Sequence, residues 1–308
     1  MTLLFCSASD NAEVWRSEIA KRLPDLEIRV WPDIGDPADI RMALVWKPPA
    51  GMLAGLPNVS LIVSLGAGVE PLLEDPTLPD VPLVRMVSDG LTVDMAGYVA
   101  LQVLRWHRLV QEYADLQAAT RWEPMDHKPA SAVTVGILGL GELGAASART
   151  LRTMDYRVLG WSRSPKNLDG VESFSGADGL AAMLGRTEIL VCLLPLTGET
   201  HGILNAELFA ALPAGAVVVN AARGRHLVEE DLLAALDSGR LRGASLDVFV
   251  TEPLPPDHPF WRHPKIVITP HVAAITHPSL SAEQVAEAVR AFRAGRPLPN
   301  LVDRKRGY

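Results

Sequence analysis

Short apolar runs alternate with stretches whose apolar positions recur every three to four residues over most of the chain. That alternation predicts parallel strands joined by helices, a doubly wound α/β architecture. The strand-like runs of the first part are Leu3–Cys6, Glu27–Val30, Ala43–Trp46, Ser60–Ser64 and Pro82–Val84, with a helical pattern from Asn11 to Leu23. Val93 to Ala119 then breaks the rhythm. It lacks proline and holds one glycine, Gly97, and its spacing predicts a single long helix connecting two domains. A second series starts with Val133–Leu138 and continues through Arg157–Trp161, Ile189–Leu193, Ala216–Asn220, Ala244–Asp247 and Ile266–Thr269. Ser281 to Ala294 reads as a last helix, stopped by Gly295 and Pro297.

Composition narrows the function classes. With 308 residues, 48% hydrophobic and 21% charged, the chain can bury two cores, and disorder is disfavoured. The net charge is −7 and the densest basic run is Arg304-Lys305-Arg306, so a nucleic-acid partner is not expected. Two cysteines, Cys6 and Cys192, both inside apolar runs, cannot build a disulfide framework, and a reducing, cytoplasmic location is expected. No signal peptide is visible, and the longest apolar run, Ile189 to Leu196, is far short of a membrane span. His258 and His263 are interrupted by Pro259 and Pro264, and no metal site is expected.

The sharpest local signal is Gly139-Leu140-Gly141-Glu142-Leu143-Gly144, which follows an apolar strand and opens the helical run Ala145 to Met154. In that setting Gly139 permits a tight turn, Gly141 lets the backbone approach a pyrophosphate, and Gly144 lets helix and strand pack closely. The N–H groups of the helix start then face phosphate. The next strand ends near Trp161, where a carboxylate would bind the ribose of NAD. Ser162-Arg163-Ser164-Pro165-Lys166 stands there instead, and no carboxylate appears before Asp169. Arg163 can fork onto a 2′-phosphate, with Ser162, Ser164 and Lys166 adding donors, so NADP is favoured and NAD remains possible.

Three polar residues each follow a predicted strand: Arg223, Glu252 and His271. Ligands of open α/β sheets bind beyond the carboxyl ends of the strands, so all three are candidates for one site. Taken with Leu193-Leu194-Pro195-Leu196-Thr197, Asn220-Ala221-Ala222-Arg223-Gly224, Leu246-Asp247-Val248-Phe249, Glu252-Pro253 and Thr269-Pro270-His271, the chain resembles the D-isomer-specific 2-hydroxyacid dehydrogenase family. Trp161-Ser162-Arg163-Ser164, the run Asp231 to Gly239 and the ending Asp303 to Tyr308 resemble its glyoxylate/hydroxypyruvate reductase A branch. The likeness runs over essentially the whole chain.

The resemblance implies two parallel-sheet domains with a cleft between them. One is a flavodoxin-like substrate domain of residues 1–92, to which 275–308 return. The other is a Rossmann nucleotide domain of residues 93–274. It implies a homodimer, and reduction of glyoxylate or hydroxypyruvate. A guanidinium such as Arg223 can hold a keto-acid carboxylate with a bidentate fork, and an imidazolium at His271 can protonate the ketone oxygen as hydride arrives. Glu252 would hold the other ring nitrogen. The resemblance also implies that Glu142, Leu143, Leu193, Leu194, Pro195, Thr200, Ala221, Ala222 and Asp247 contact the cofactor. It makes Gly66, Ala67 and Gly68 a substrate loop in which backbone N–H groups can cradle a carboxylate, and Trp46 a candidate pocket wall. Two alternatives stay open. One is a broader NAD(P)-dependent enzyme of the D-lactate type. The other is a non-catalytic, nucleotide-sensing binding protein on the same fold.

Overall fold

The computed structural model describes residues 1–307, so Tyr308, the last residue of the terminal string, lies outside the described residues. In chain order the first elements are β1 (Thr2–Ser7), α1 (Ala12–Ala20), β2 (Glu27–Val30), β3 (Ile40–Trp46), β4 (Leu61–Ser64), α2 (Glu70–Leu73) and β5 (Leu83–Val84). Next come α3 (Asp89–His107), α4 (Val110–Ala118), β6 (Thr134–Leu138), α5 (Glu142–Thr153), β7 (Arg157–Trp161), β8 (Val171–Phe174), α6 (Gly176–Leu184) and β9 (Ile189–Cys192). The rest are α7 (Ala206–Ala211), β10 (Ala216–Asn220), α8 (Glu229–Asp237), β11 (Leu241–Leu246), β12 (Ile266–Ile268) and α9 (Pro278–Arg293).

The chain divides into two compact units. One is Met1–Leu91 with the segment from Ile275 onward, and the other is Thr92–Ala274. In the first unit five parallel strands lie in the order β2-β1-β3-β4-β5, the flavodoxin-like order. Its strands β1, β3 and β4 are almost wholly buried, which is why they read as continuous apolar runs. In the second unit seven parallel strands lie in the order β12-β11-β10-β9-β6-β7-β8. Strand order reverses between β6 and β9, the crevice position where doubly wound sheets bind dinucleotides.

Two expectations need correction. The long connector is two helices. α3 ends at His107, and Leu109, with φ +57, turns the chain in a left-handed conformation before α4. The end of α3 is anchored by tertiary contacts. Trp106 is buried, and the His107 ring bonds the Tyr156 hydroxyl at 2.6 Å and the Lys128 carbonyl at 2.7 Å. The second correction is β8, which the sequence pattern missed. It is a half-exposed edge strand whose Val-Glu-Ser-Phe string carries little apolar signal. Both cysteines are buried, and burial pushes the Cys192 thiol up to about 12, so neither is poised as a nucleophile. Among the described residues no helix is long and apolar enough to cross a membrane.

Candidate active site

After β6 the chain turns through Gly139, whose φ is +100. A Cβ there would stand 2.7 Å from the Leu193 carbonyl oxygen, so a side chain would push the loop off the end of β9. At Gly144 a Cβ would lie 1.8 Å from the Gly139 carbonyl oxygen, so glycine lets the first turn of α5 fold back on the loop. Gly141 faces open space and gives α5 an N-cap without a side chain. The first-turn N–H groups of α5 are therefore available to an anion, with Glu142 and Leu143 opening the helix. This cradle fits a dinucleotide pyrophosphate. On the far side of the reversal point, Leu193, Leu194 and Pro195 leave the end of β9. Thr200 Oγ1 donates to the Pro195 carbonyl at 2.7 Å and accepts from Thr197 N at 2.8 Å, so this side chain closes its own loop.

Beyond β7, Ser162 is buried, and its hydroxyl donates to the Ser164 carbonyl at 2.8 Å. Its N–H donates to Phe174 O at 3.1 Å, and Lys166 N donates to Ser173 Oγ at 3.2 Å. Edge strand β8 thus supports the loop, Ser162 shapes it, and Arg163, Ser164 and Lys166 stand exposed on it.

The turn carrying Arg223 is built by Asn220, fully buried at the end of β10. Asn220 Oδ1 accepts from Ala222 N at 3.1 Å and Nδ2 donates to Arg223 O at 3.0 Å. Ala221 and Ala222 are buried beneath it. Arg223 N donates to His226 Nδ1 at 3.2 Å, which leaves His226 Nε2–H to donate to the Pro195 carbonyl at 3.3 Å. A Cβ on Gly224 would lie 1.9 Å from the carbonyl carbon of Phe249. Glycine therefore brings the Arg223 turn against the turn that follows β11. In that second turn Glu252 Oε1 accepts from Phe249 N at 3.2 Å, and Oε2 lies 2.8 Å from His271 Nδ1.

His271 has φ +56, a left-handed conformation that costs a non-glycine residue on the order of 1–3 kcal/mol and persists only where its surroundings over-determine it. Here they do. His271 N donates to the Asp247 carbonyl at 2.8 Å and to the Thr269 carbonyl at 3.1 Å. The Asp247 carboxylate accepts from Thr269 Oγ1 at 2.6 Å, Val272 N at 2.9 Å and Ala273 N at 2.8 Å. Asp247 is 1% exposed, and its carboxylate clamps the His271 turn. With Nδ1 held by Glu252 and 32% of the imidazole side chain exposed, Nε2 is the nitrogen presented to a ligand. A fixed imidazole of this kind can exchange a proton with a bound oxygen.

In the first unit Trp46 ends β3 and its ring lies over Gly66. A Cβ on Gly66 would stand 2.2 Å from the indole, so this glycine makes room for the tryptophan. Gly66 N donates to Ser64 Oγ at 3.2 Å and Gly66 O accepts from Met86 N at 3.1 Å. The N–H of Gly66 is thereby engaged by the Ser64 hydroxyl of its own loop. Gly66, Ala67 and Gly68 together remain candidates for the substrate loop.

Sequence reading missed Asn220, His226, Thr269 and Tyr98, whose hydroxyl lies 2.8 Å from Thr269 Oγ1. Asn220 and Thr269 lie inside strings already singled out, and a polar side chain at the end of a buried strand was the available signal. Tyr98 offered none, since its partner is 171 residues away. Among the described residues no group of three or more His, Cys, Asp or Glu side chains is placed to hold a metal.

A family model for the NAD binding domain of D-isomer specific 2-hydroxyacid dehydrogenases matches residues 100–273. The glyoxylate/hydroxypyruvate reductase A of Serratia proteamaculans (strain 568) is 47% identical over 315 residues, covering 100% of both chains. A D-isomer specific 2-hydroxyacid dehydrogenase from Xanthobacter autotrophicus Py2, solved with NADPH and MES, is 43% identical with a TM-score of 0.96, covering 100% of this chain and 99% of that one. The NADPH-dependent glyoxylate/hydroxypyruvate reductase of Sinorhizobium meliloti, solved with NADP and sulfate, is 40% identical with a TM-score of 0.94 and full coverage of both chains. With a matched domain model, full-length relatives and both sheet orders in agreement, the chain belongs to the D-isomer specific 2-hydroxyacid dehydrogenase family.

Proposed function

We propose that this protein reduces small 2-keto acids with NADPH, converting glyoxylate to glycolate and hydroxypyruvate to D-glycerate. The observation that carries the reading is the 2.8 Å contact from Glu252 to His271 Nδ1, which leaves Nε2 presented while the turn bearing Arg223 packs beside the turn bearing Glu252. The full-length likeness to NADPH-dependent relatives supports the choice of substrate and cofactor. The α5 cradle and the donors Arg163, Ser164 and Lys166 would hold NADPH, which supplies the hydride when bound.

Arg223 has the planar fork that binds a keto-acid carboxylate and polarises the neighbouring carbonyl. His271 holds the transferable proton at Nε2 and gives it to the ketone oxygen as negative charge develops there. Glu252 accepts from Nδ1–H, so the ring cannot turn its other nitrogen toward the substrate. Trp46, Gly66, Ala67 and Gly68 are assigned to substrate contact in the first unit.

Replacing His271 with glutamine keeps a polar side chain of similar length but no acid. The His271→Gln protein should fold normally and lose about 10²- to 10⁴-fold in kcat for glyoxylate. A folded variant with turnover close to that of the unmodified enzyme would refute the assignment.

A homodimer is part of the same reading. Val93 and Leu101 on α3, Val110 and Tyr113 on α4, and Trp122 just beyond are large apolar side chains left 69%, 55%, 46%, 39% and 99% exposed. Exposed Gly97 lies between Val93 and Leu101 at four-residue spacing, where a second chain can approach closely. A second copy of this chain covering that surface would bury them.

A further inference from the structure

A line of buried and half-buried polar side chains crosses the second unit from the end of α3 to the turn that carries His271. Tyr98, Gln102 and Trp106 recur every four residues and so share a face of α3. Trp106 Nε1 donates to Ser245 Oγ at 2.8 Å, and that hydroxyl donates to Gln102 Oε1 at 2.9 Å. Gln102 lies one helical turn from Tyr98 on α3. Tyr98 Oη lies 2.8 Å from Thr269 Oγ1, which donates to Asp247 Oδ1 at 2.6 Å. Asp247 in turn receives the N–H groups of Val272 and Ala273, the two residues after His271.

The proton positions along this line are determined by its ends. An indole N–H can only donate, and a carboxylate can only accept. Each hydroxyl carries one hydrogen. Thr269 spends its hydrogen on Asp247, so Tyr98 must donate to Thr269. Ser245 spends its hydrogen on Gln102 Oε1 and accepts that of the Trp106 indole. The Tyr98 and Thr269 hydroxyls therefore both point toward Asp247, and the first bond polarises the second. The direction survives at high pH. Burial lifts the Tyr98 phenol from 10 to about 12, against the lowering effect of its Thr269 hydrogen bond and with Asp247 adding to the rise, so the phenol keeps its hydrogen below that range.

We infer that Tyr98 is a positioning residue for His271, acting through Thr269 and Asp247 to hold the left-handed turn that aims the imidazole. The inference rests on His271 being the acid of the proposed reaction. Tyr98 does not touch the reacting atoms in this account. It fixes the Thr269 hydroxyl, the hydroxyl fixes one oxygen of Asp247, and Asp247 holds the backbone N–H groups of His271, Val272 and Ala273. A line of this kind that served only to satisfy buried groups would affect stability and leave the chemical step alone.

The test compares Tyr98→Phe, Thr269→Val, Thr269→Ser and His271→Gln with the unmodified enzyme. The readouts are kcat and KM for glyoxylate with NADPH, NADPH affinity by fluorescence titration, and melting temperature. Tyr98→Phe and Thr269→Val should each lower kcat on the order of 10-fold, because a small misplacement of a reacting group is costly. KM and NADPH affinity should stay within about threefold, and Thr269→Ser should recover most of the rate because it keeps the hydroxyl. Should Thr269→Val fail to fold, Tyr98→Phe, which loses one oxygen only, carries the comparison. An inactive His271→Gln beside a folded Tyr98→Phe with unchanged kcat overturns the positioning role alone. An active His271→Gln overturns the acid assignment and the positioning role with it.

Discussion

At the scale of single residues the site is organised around one strained position. His271 occupies a left-handed backbone conformation, and the atoms that hold it there come from Asp247, Thr269 and Glu252. Buried Asp247 is stable because its carboxylate has three donors, since an uncompensated carboxylate would be strongly disfavoured in the core. Tyr98, on the same network, carries a consequence for stability. Burial raises its phenol from 10 to about 12, so between those values the native protein keeps a proton that the unfolded chain has lost. The associated stabilisation is complete below pH 10 and is lost as the pH rises through 12. Its size is at most about 2–3 kcal/mol at 1.36 kcal/mol per unit. In urea unfolding, the stability advantage of the unmodified protein over Tyr98→Phe should therefore shrink as the pH is raised from 10 toward 12. An advantage that stayed constant across that window would show that this phenol is not shifted.

At the scale of elements, the face of α3 away from the core leaves Val93, Gly97 and Leu101 exposed, and α4 adds Val110 and Tyr113. Sedimentation at micromolar concentration should find a dimer, and Leu101→Arg with Val110→Arg should shift it toward monomer. A monomeric unmodified protein would rule the interface out. The elements also explain what could be read in advance. Strands such as β9 and β10 are buried along their whole length, so both faces must be apolar and the run is visible in sequence. Edge strand β8 buries little, and Leu109 turns left-handed without the glycine or proline that marks such turns. His271, Glu252 and the glycines of the nucleotide loop could be singled out because chemistry or steric demand limits the residue type at each. The clamp role of Asp247 and the contribution of Tyr98 could not, because they arise from hydrogen bonds between residues far apart in the chain, which leave no local pattern.

At the scale of the whole molecule, two parallel sheets with different strand orders come from one chain whose apolar runs look alike. The second unit carries the reversal point, the glycine loop, Arg223, Glu252 and His271. The first carries Trp46 over Gly66. Arg163, Ser164 and Lys166 stand exposed beyond β7, and they are the groups proposed to read the phosphate that distinguishes NADP from NAD. The central claim is a dehydrogenase that uses NADPH to reduce a short 2-keto acid. It is tested most directly by following NADPH and NADH oxidation by the purified protein with glyoxylate, hydroxypyruvate, pyruvate and bulkier keto acids. The account predicts turnover with glyoxylate and hydroxypyruvate, and kcat/KM at least about 10-fold higher with NADPH than with NADH, as a charge-assisted contact to the 2′-phosphate requires. Oxidation of neither coenzyme with any of these keto acids, or a clear preference for NADH, would contradict it.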